Sequence, residues 1–316
     1  MKKWLLLWFA LATSGSLTSA AEWPPKVFAP YAFIPKGYIN ISNCFAETGQ
    51  RYYTLAFIIS DHEGYPAWTG NRDLRVSTKY YADQIAEIRA RGGDVLISFG
   101  GADGPELALN TPKFRELQKK YQSVIDAYRL TWMDFDIEGK ALKNVEANHR
   151  RDKTLVRLQR KNPGLKISFT LPVNPTGMEP ESLVMLRDAK AQGLKIESVD
   201  IMTMDYGKSI SHGKKMGDLA VAAAMASHRQ TTEIDPSIKI GICPMIGQND
   251  EKSEIFTLDD AHEVMNFASQ TSWVRSVAFW SSNRDRPKGP GKGGNHSSGI
   301  DQKQWDFTKI FEPISD

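Results

Sequence analysis

The chain has 316 residues, 41% hydrophobic and 24% charged, an ordinary globular composition with room for one large domain or two small ones. Lysine plus arginine number 40 and aspartate plus glutamate 37. That near balance argues against a nucleic-acid partner held by bulk charge.

Lys2 and Lys3 precede an apolar run over residues 4–12, and small residues follow as far as Ala21. This is the pattern of an export signal cut after Ala20 or Ala21; the run is too short to span a bilayer. No cysteine follows it to carry a lipid, and no other stretch is long and apolar enough for a membrane span. The expected product is a single domain over residues 22–316, secreted or periplasmic, and a monomer. Losing residues 1–21 removes two lysines and no acid, so the remaining charges almost cancel.

Along the rest of the chain, β-rich apolar runs fall at 27–34, 53–60, 94–99, 131–137, 166–171, 198–204, 238–245 and 276–280. Helical patterns separate them. One covers 79–93 and ends on glycines, a stop signal. Another starts at Thr111, read as the N-cap with Pro112 at the first helical position. Others lie near 145–161, 179–192, 214–230 and 302–312, and one opens on Thr257 as N-cap. The first connection, 40–49, has room for a short helix only. Eight strands alternating with helices predict a parallel sheet, and the length suits a closed (β/α)8 TIM barrel. An open doubly wound sheet would show a glycine-rich phosphate turn after an early strand, and none is present. Residues 283–299, rich in Gly, Pro, Lys and Ser, read as a long loop after the eighth strand.

Cys44 and Cys243 lie far apart in apolar settings and read as buried thiols, although an exported chain permits a disulfide. The six histidines show no metal-ligand spacing, so neither a metal nor any other cofactor is expected.

The fourth strand carries the informative pattern, Leu130–Gly139, "LTWMDFDIEG". Asp134, Asp136 and Glu138 occupy every second position and therefore share one face of the strand, while Phe135 and Ile137 share the other. Phe135 and Ile137 suit the layer under the helices, so the acids look into the barrel. Glu138 comes last, at the C-terminal end, where such barrels carry their active sites. Three carboxyls in one semi-buried row cannot all ionise cheaply, so one keeps a proton at neutral pH and can act as a general acid.

This row resembles the signature of the family 18 glycoside hydrolases, the chitinase family: Asp-x-x-Asp-x-Asp-x-Glu. The first acidic position is Thr131 here. Further similarities span nearly the whole chain after the signal. "SFGG" at 98–101 resembles the third-strand Ser-x-Gly-Gly. "MTMDYG" at 202–207 resembles the sixth-strand segment whose Asp, here Asp205, binds the acetamido group. "FWSSNRD" at 279–285 resembles the eighth-strand end whose Trp, here Trp280, floors the cleavage subsite. Residues 66–70 and 244–250 resemble a compact bacterial branch. Many members place a tyrosine where this chain has Met204; Tyr206 follows and is a candidate substitute.

The resemblance implies a retaining, substrate-assisted hydrolysis of chitin or N-acetylglucosamine oligosaccharides. Glu138 would protonate the leaving oxygen and then activate water. Asp136 would hold the acetamido N–H, and Asp134 would tune Asp136 by sharing a proton. Substrate-binding candidates are Tyr31, Trp68, Ser98, Met204, Asp205, Tyr206 and Trp280; Trp132 and Trp305 read as core. The short gap between the seventh strand and its helix leaves no room for the second small domain some members insert, which implies a shallow, open cleft and endo-type cutting. Two other readings stand beside this one. One is a catalytically silent glycan-binding barrel, against which the presence of Glu138 counts. The other is the same mechanism acting on another N-acetylglucosamine-containing glycan.

Overall fold

The computed structural model describes residues 22–35, 39, 41–287 and 296–315. The predicted export signal and the middle of the predicted loop after the eighth strand lie outside them.

Eight parallel strands form the frame. They are β1 (Val27–Phe28, resumed at Tyr31–Phe33), β2 (Tyr52–Ser60), β3 (Asp94–Gly100), β4 (Trp132–Asp136), β5 (Lys166–Asn174), β6 (Ser198–Met202), β7 (Lys239–Cys243) and β8 (Val274–Val277). Each pairs with its sequence neighbour, and the two pieces of β1 close the ring. Val27–Phe28 pairs with β8, and Tyr31–Phe33 pairs with β2. Between the pieces stands Pro30, which has no N–H to give to a ladder; its carbonyl accepts from Thr54 N at 3.1 Å. The predicted (β/α)8 barrel is therefore the fold.

Helices α1 (Ile41–Thr48), α2 (Ala82–Ala90), α3 (Phe114–Tyr128), α4 (Val145–Lys161), α5 (Pro180–Ala191), α6 (Met216–Ile234), α7 (Leu258–Gln270) and α8 (Asp306–Phe311) follow the strands in turn. No described helix is long and apolar enough to cross a membrane. Thr257 caps α7 as predicted, in a reciprocal capping box with Asp260. Thr111 does not cap α3. Pro112 disfavours helical backbone at the residue before it, and Thr111 instead ends a short extra helix, Leu107–Asn110. The N-cap of α3 is Lys113, without a side-chain bond. The eighth strand begins two residues earlier than predicted, and its extended backbone runs on to Trp280, which bridges to Met245.

The strand period of two sorts side chains into an outer core and a barrel interior. Outside, Phe135 stacks on Phe99 at 5.1 Å and meets Tyr121 of α3 edge-on at 5.4 Å. Inside, an apolar floor of Trp23, Val27, Tyr52, Leu96 and Trp132 plugs the N-terminal end. A second apolar group of Tyr31, Ala56, Cys243 and Ala278, with Phe33, Phe57, Met204 and Trp280 against it, lies at the C-terminal mouth. Cys44 on α1 and Cys243 in the interior are both buried free thiols.

Candidate active site

Between the two apolar groups lies a polar layer, and Asp134 is its centre. Four hydroxyls surround this fully buried carboxylate. Ser98 Oγ donates to Oδ2 at 2.6 Å and Tyr31 Oη donates to Oδ2 at 2.9 Å. Ser168 Oγ donates to Oδ1 at 2.8 Å, and Thr170 Oγ1 lies 3.1 Å from Oδ1. Trp132 Nε1–H occupies Ser168 Oγ from below at 3.0 Å, so Ser168 must turn its own proton toward Asp134. Trp132 is thus core, as predicted, and also orients the polar layer. Burial pushes the Asp134 carboxyl up, and the hydroxyls of Ser98, Ser168, Tyr31 and Thr170 oppose that push.

Asp136, one layer higher, lacks such help. It is 5% exposed, and its Oδ1 has no hydrogen-bond partner among the described residues. Burial, then the charges of Glu138 and Asp134, hold its carboxyl well above the usual range. The three acids therefore titrate as one coupled row, in which burial and mutual repulsion keep protons bound. Glu138 stands just past the strand, half-buried. Burial raises it, Asp136 opposes, and the charges of Asp103 and Asp205 raise it further.

The glycines of "SFGG" are steric requirements of this row. Gly100 has φ +103, and a Cβ there would lie 2.1 Å from the carbonyl oxygen of Asp136. Next to it, Gly101 N donates to that same oxygen at 3.0 Å. The third strand can approach the fourth this closely only without side chains at that point.

Above the row opens a cleft of about 670 Å³ whose lining includes Asp136, Glu138, Tyr31, Met204, Asp205, Tyr206 and Trp280. Trp280 lies near-parallel to Phe57, with ring centroids 5.6 Å apart, and is tilted against Tyr31 at 5.9 Å. The Asp205 carboxyl is fixed from behind by Glu251 N at 2.7 Å. Only a two-stranded hairpin, Gly247–Gln248 with Ile255–Phe256, occupies the β7–α7 connection, so no extra domain walls the cleft there.

The chain and its fold have counterparts among known proteins. The solved catalytic domain of a hyperthermophilic chitinase from Pyrococcus furiosus superposes with a TM-score of 0.83 at 33% identity, covering 93% of this chain and 96% of that one. The chain belongs to glycoside hydrolase family 18, the chitinase family. A "Probable bifunctional chitinase/lysozyme" of Escherichia coli (strain K12) is 31% identical over 325 residues, 94% of this chain and 35% of that protein. "Endochitinase 11" of Metarhizium anisopliae is 32% identical over 290 residues, 85% of this chain and 54% of that protein. The chain thus spans about a third of the one relative and about half of the other. No family model matches it.

Three of the predicted family 18 binding residues need correction. Trp68 is fully buried on the strand Pro66–Trp68, with its Nε1 donating to Tyr128 Oη at 2.8 Å. It packs the outer core because its strand folds back antiparallel on β2, putting its ring against α3. Ser98 does not line the cleft; it shares a register with Asp134 one layer below and serves that carboxylate. Tyr206 lines the cleft, but its buried hydroxyl lies beside Thr203 and Glu254, so it does not replace the tyrosine missing at Met204. Tyr31, by contrast, puts its phenol on Asp134. Sequence reading missed Thr170, Ser168 and Asp200. Asp200 is a buried interior acid on β6 that accepts from Ser276 Oγ at 2.8 Å.

Proposed function

We propose that the protein is an exported, endo-acting chitinase that hydrolyses β-1,4-linked N-acetylglucosamine polymers with retention, the acetamido group of the substrate supplying the nucleophile. The observation that carries this reading is Asp136: a buried carboxyl with one oxygen unsatisfied among the described residues, on a residue that lines the same cleft as Glu138 and Trp280. An unsatisfied buried acceptor calls for a donor, and the N–H of a 2-acetamido sugar is one. The names carried by the relatives, chitinase/lysozyme and endochitinase, support the same substrate class.

In this mechanism the sugar ring lies on Trp280 and its acetamido N–H binds Asp136. The carbonyl oxygen of that group attacks the anomeric carbon, and Glu138 gives its proton to the departing oxygen. An oxazolinium ion forms, and the anionic Asp134–Asp136 pair stabilises its positive charge. Glu138, now a base, takes a proton from the water that opens the ring. The buried row thus handles the developing charge, and Glu138 at the rim exchanges protons with leaving group and water.

The test is turnover of N-acetylglucosamine oligomers by wild type and Glu138→Gln. The wild type should cut internal bonds. Glu138→Gln keeps the shape and deletes the proton, so it should lose on the order of 10²–10⁴ in rate while still binding the oligomer. Near-normal turnover by Glu138→Gln removes the assignment.

A further inference from the structure

The described residues lining the cleft include six carboxyl groups, Asp103, Asp136, Glu138, Glu179, Asp205 and Asp250, and a single cationic side chain, Arg284. The cation is already committed. Arg284 is buried, donates to the carbonyls of Ile246 and Gln248, and faces Asp250 and Asp205. Four of the acids, Asp103, Glu179, Asp205 and Asp250, are exposed at the rim, on loops that follow β3, β5, β6 and β7. They therefore flank the row on β4 from both sides. A cleft lined by one sign of charge between low-dielectric walls concentrates that field.

The chemistry proposed above demands an acetamido group only on the sugar seated over Asp136, whose buried Oδ1 awaits a donor. The rim carboxylates lie outside that position, where the flanking sugars of a bound chain would run. Resting on that hydrolase reading, we infer that the cleft selects glycans by charge. It takes partially N-deacetylated chitin, whose glucosamine units carry ammonium groups, in the positions flanking the cleaved sugar, and it disfavours N-acetylglucosamine chains that carry carboxylates.

The experiment measures binding to Glu138→Gln by calorimetry, with three soluble chitins as probes: partially deacetylated (cationic), glycol (neutral) and carboxymethyl (anionic). At an ionic strength of about 10 mM, where the screening length is about 30 Å, the cationic chain should bind roughly tenfold more tightly than the neutral one, and the anionic chain more weakly. At about 1 M salt, where screening falls to about 3 Å, the three affinities should come within about twofold. Adding Asp103→Asn, Glu179→Gln and Asp250→Asn should erase the low-salt ordering while the melting temperature shows the fold retained. An ordering that ignores salt, one that survives the triple substitution, or anionic chains binding as well as neutral ones overturns the inference. Failure of the wild type to hydrolyse acetylated oligomers is a separate result, which removes the hydrolase reading and leaves the charge ordering to be judged on binding.

Discussion

At the scale of single residues, two tryptophans that look alike in sequence do opposite work. Trp280 lines the cleft, half-buried, stacked on Phe57. Trp68 is sealed against Tyr128. Trp68→Ala should cost about 3–5 kcal/mol of stability, as for other buried aromatics, and should leave KM of the surviving folded enzyme close to wild type. Trp280→Ala should do the reverse: a small change in melting temperature and a fall in kcat/KM on the order of thirtyfold, the scale of losing a ~2 kcal/mol aromatic anchor. Melting curves and initial rates on the two variants decide it, and a raised KM for Trp68→Ala with intact stability would return that residue to the binding site. A motif resemblance favoured Trp280, whereas Trp68 had only its place near a strand end, and an aromatic there is compatible with both layers. What decided the matter was the antiparallel return of Pro66–Trp68 onto β2, a tertiary fact.

At the scale of the strand, alternation made the acids legible and also hid one. Three acids at every second position of β4 announce an interior row. A single acid, Asp200 in "SVDIM" on β6, carries no such repeat. The structure builds a niche for it. Gly241 of β7 faces it, where a Cβ would lie 1.7 Å from Asp200 Oδ1, and Ser276 of β8 supplies a hydroxyl. Burial, then the charge of Asp134, pushes the Asp200 carboxyl up to about 7, with Ser276, Ser198 and Arg275 opposing. The unfolded chain would release this proton near pH 3.9. Between about pH 4 and pH 7 the folded state therefore binds the extra proton, and stability falls as pH rises through that window, by up to ~4 kcal/mol. Asp200→Asn removes the group that must ionise while keeping its shape. It should raise the melting temperature at pH 8, by an amount on the order of 1–3 kcal/mol in stability, and change little at pH 4.5. An equal shift at both pH values would refute this titration. Local chemistry also misled once: the Thr-Pro pair at 111–112 fits a helix start, yet the chain spends Thr111 on ending the preceding turn.

At the scale of the whole molecule, the barrel order was readable because each strand alternates with one helix and local pattern agrees with global fold. Closure was expected from the eight units and the length, but the way it is made was not readable. It depends on β1 breaking at Ala29–Pro30 so that its halves serve two neighbours. The assembled barrel places an apolar floor, the hydroxyl-bound carboxylate of Asp134, the buried carboxyl of Asp136 and the rim acid Glu138 in sequence along one axis, which lets one strand supply most of the proposed catalytic groups. In the proposed mechanism the substrate supplies the nucleophile, so polymers without a 2-acetamido group, such as cellulose, should not be cut. Reducing-sugar release from cellulose at a rate comparable with chitin would contradict that dependence. The most direct test of the account follows the stereochemistry itself. Proton NMR recorded during the first minutes of hydrolysis of an N-acetylglucosamine oligomer reads the anomer before mutarotation. Two successive inversions, the first by the acetamido oxygen and the second by water, predict that the β-anomer appears first; initial release of the α-anomer would contradict it.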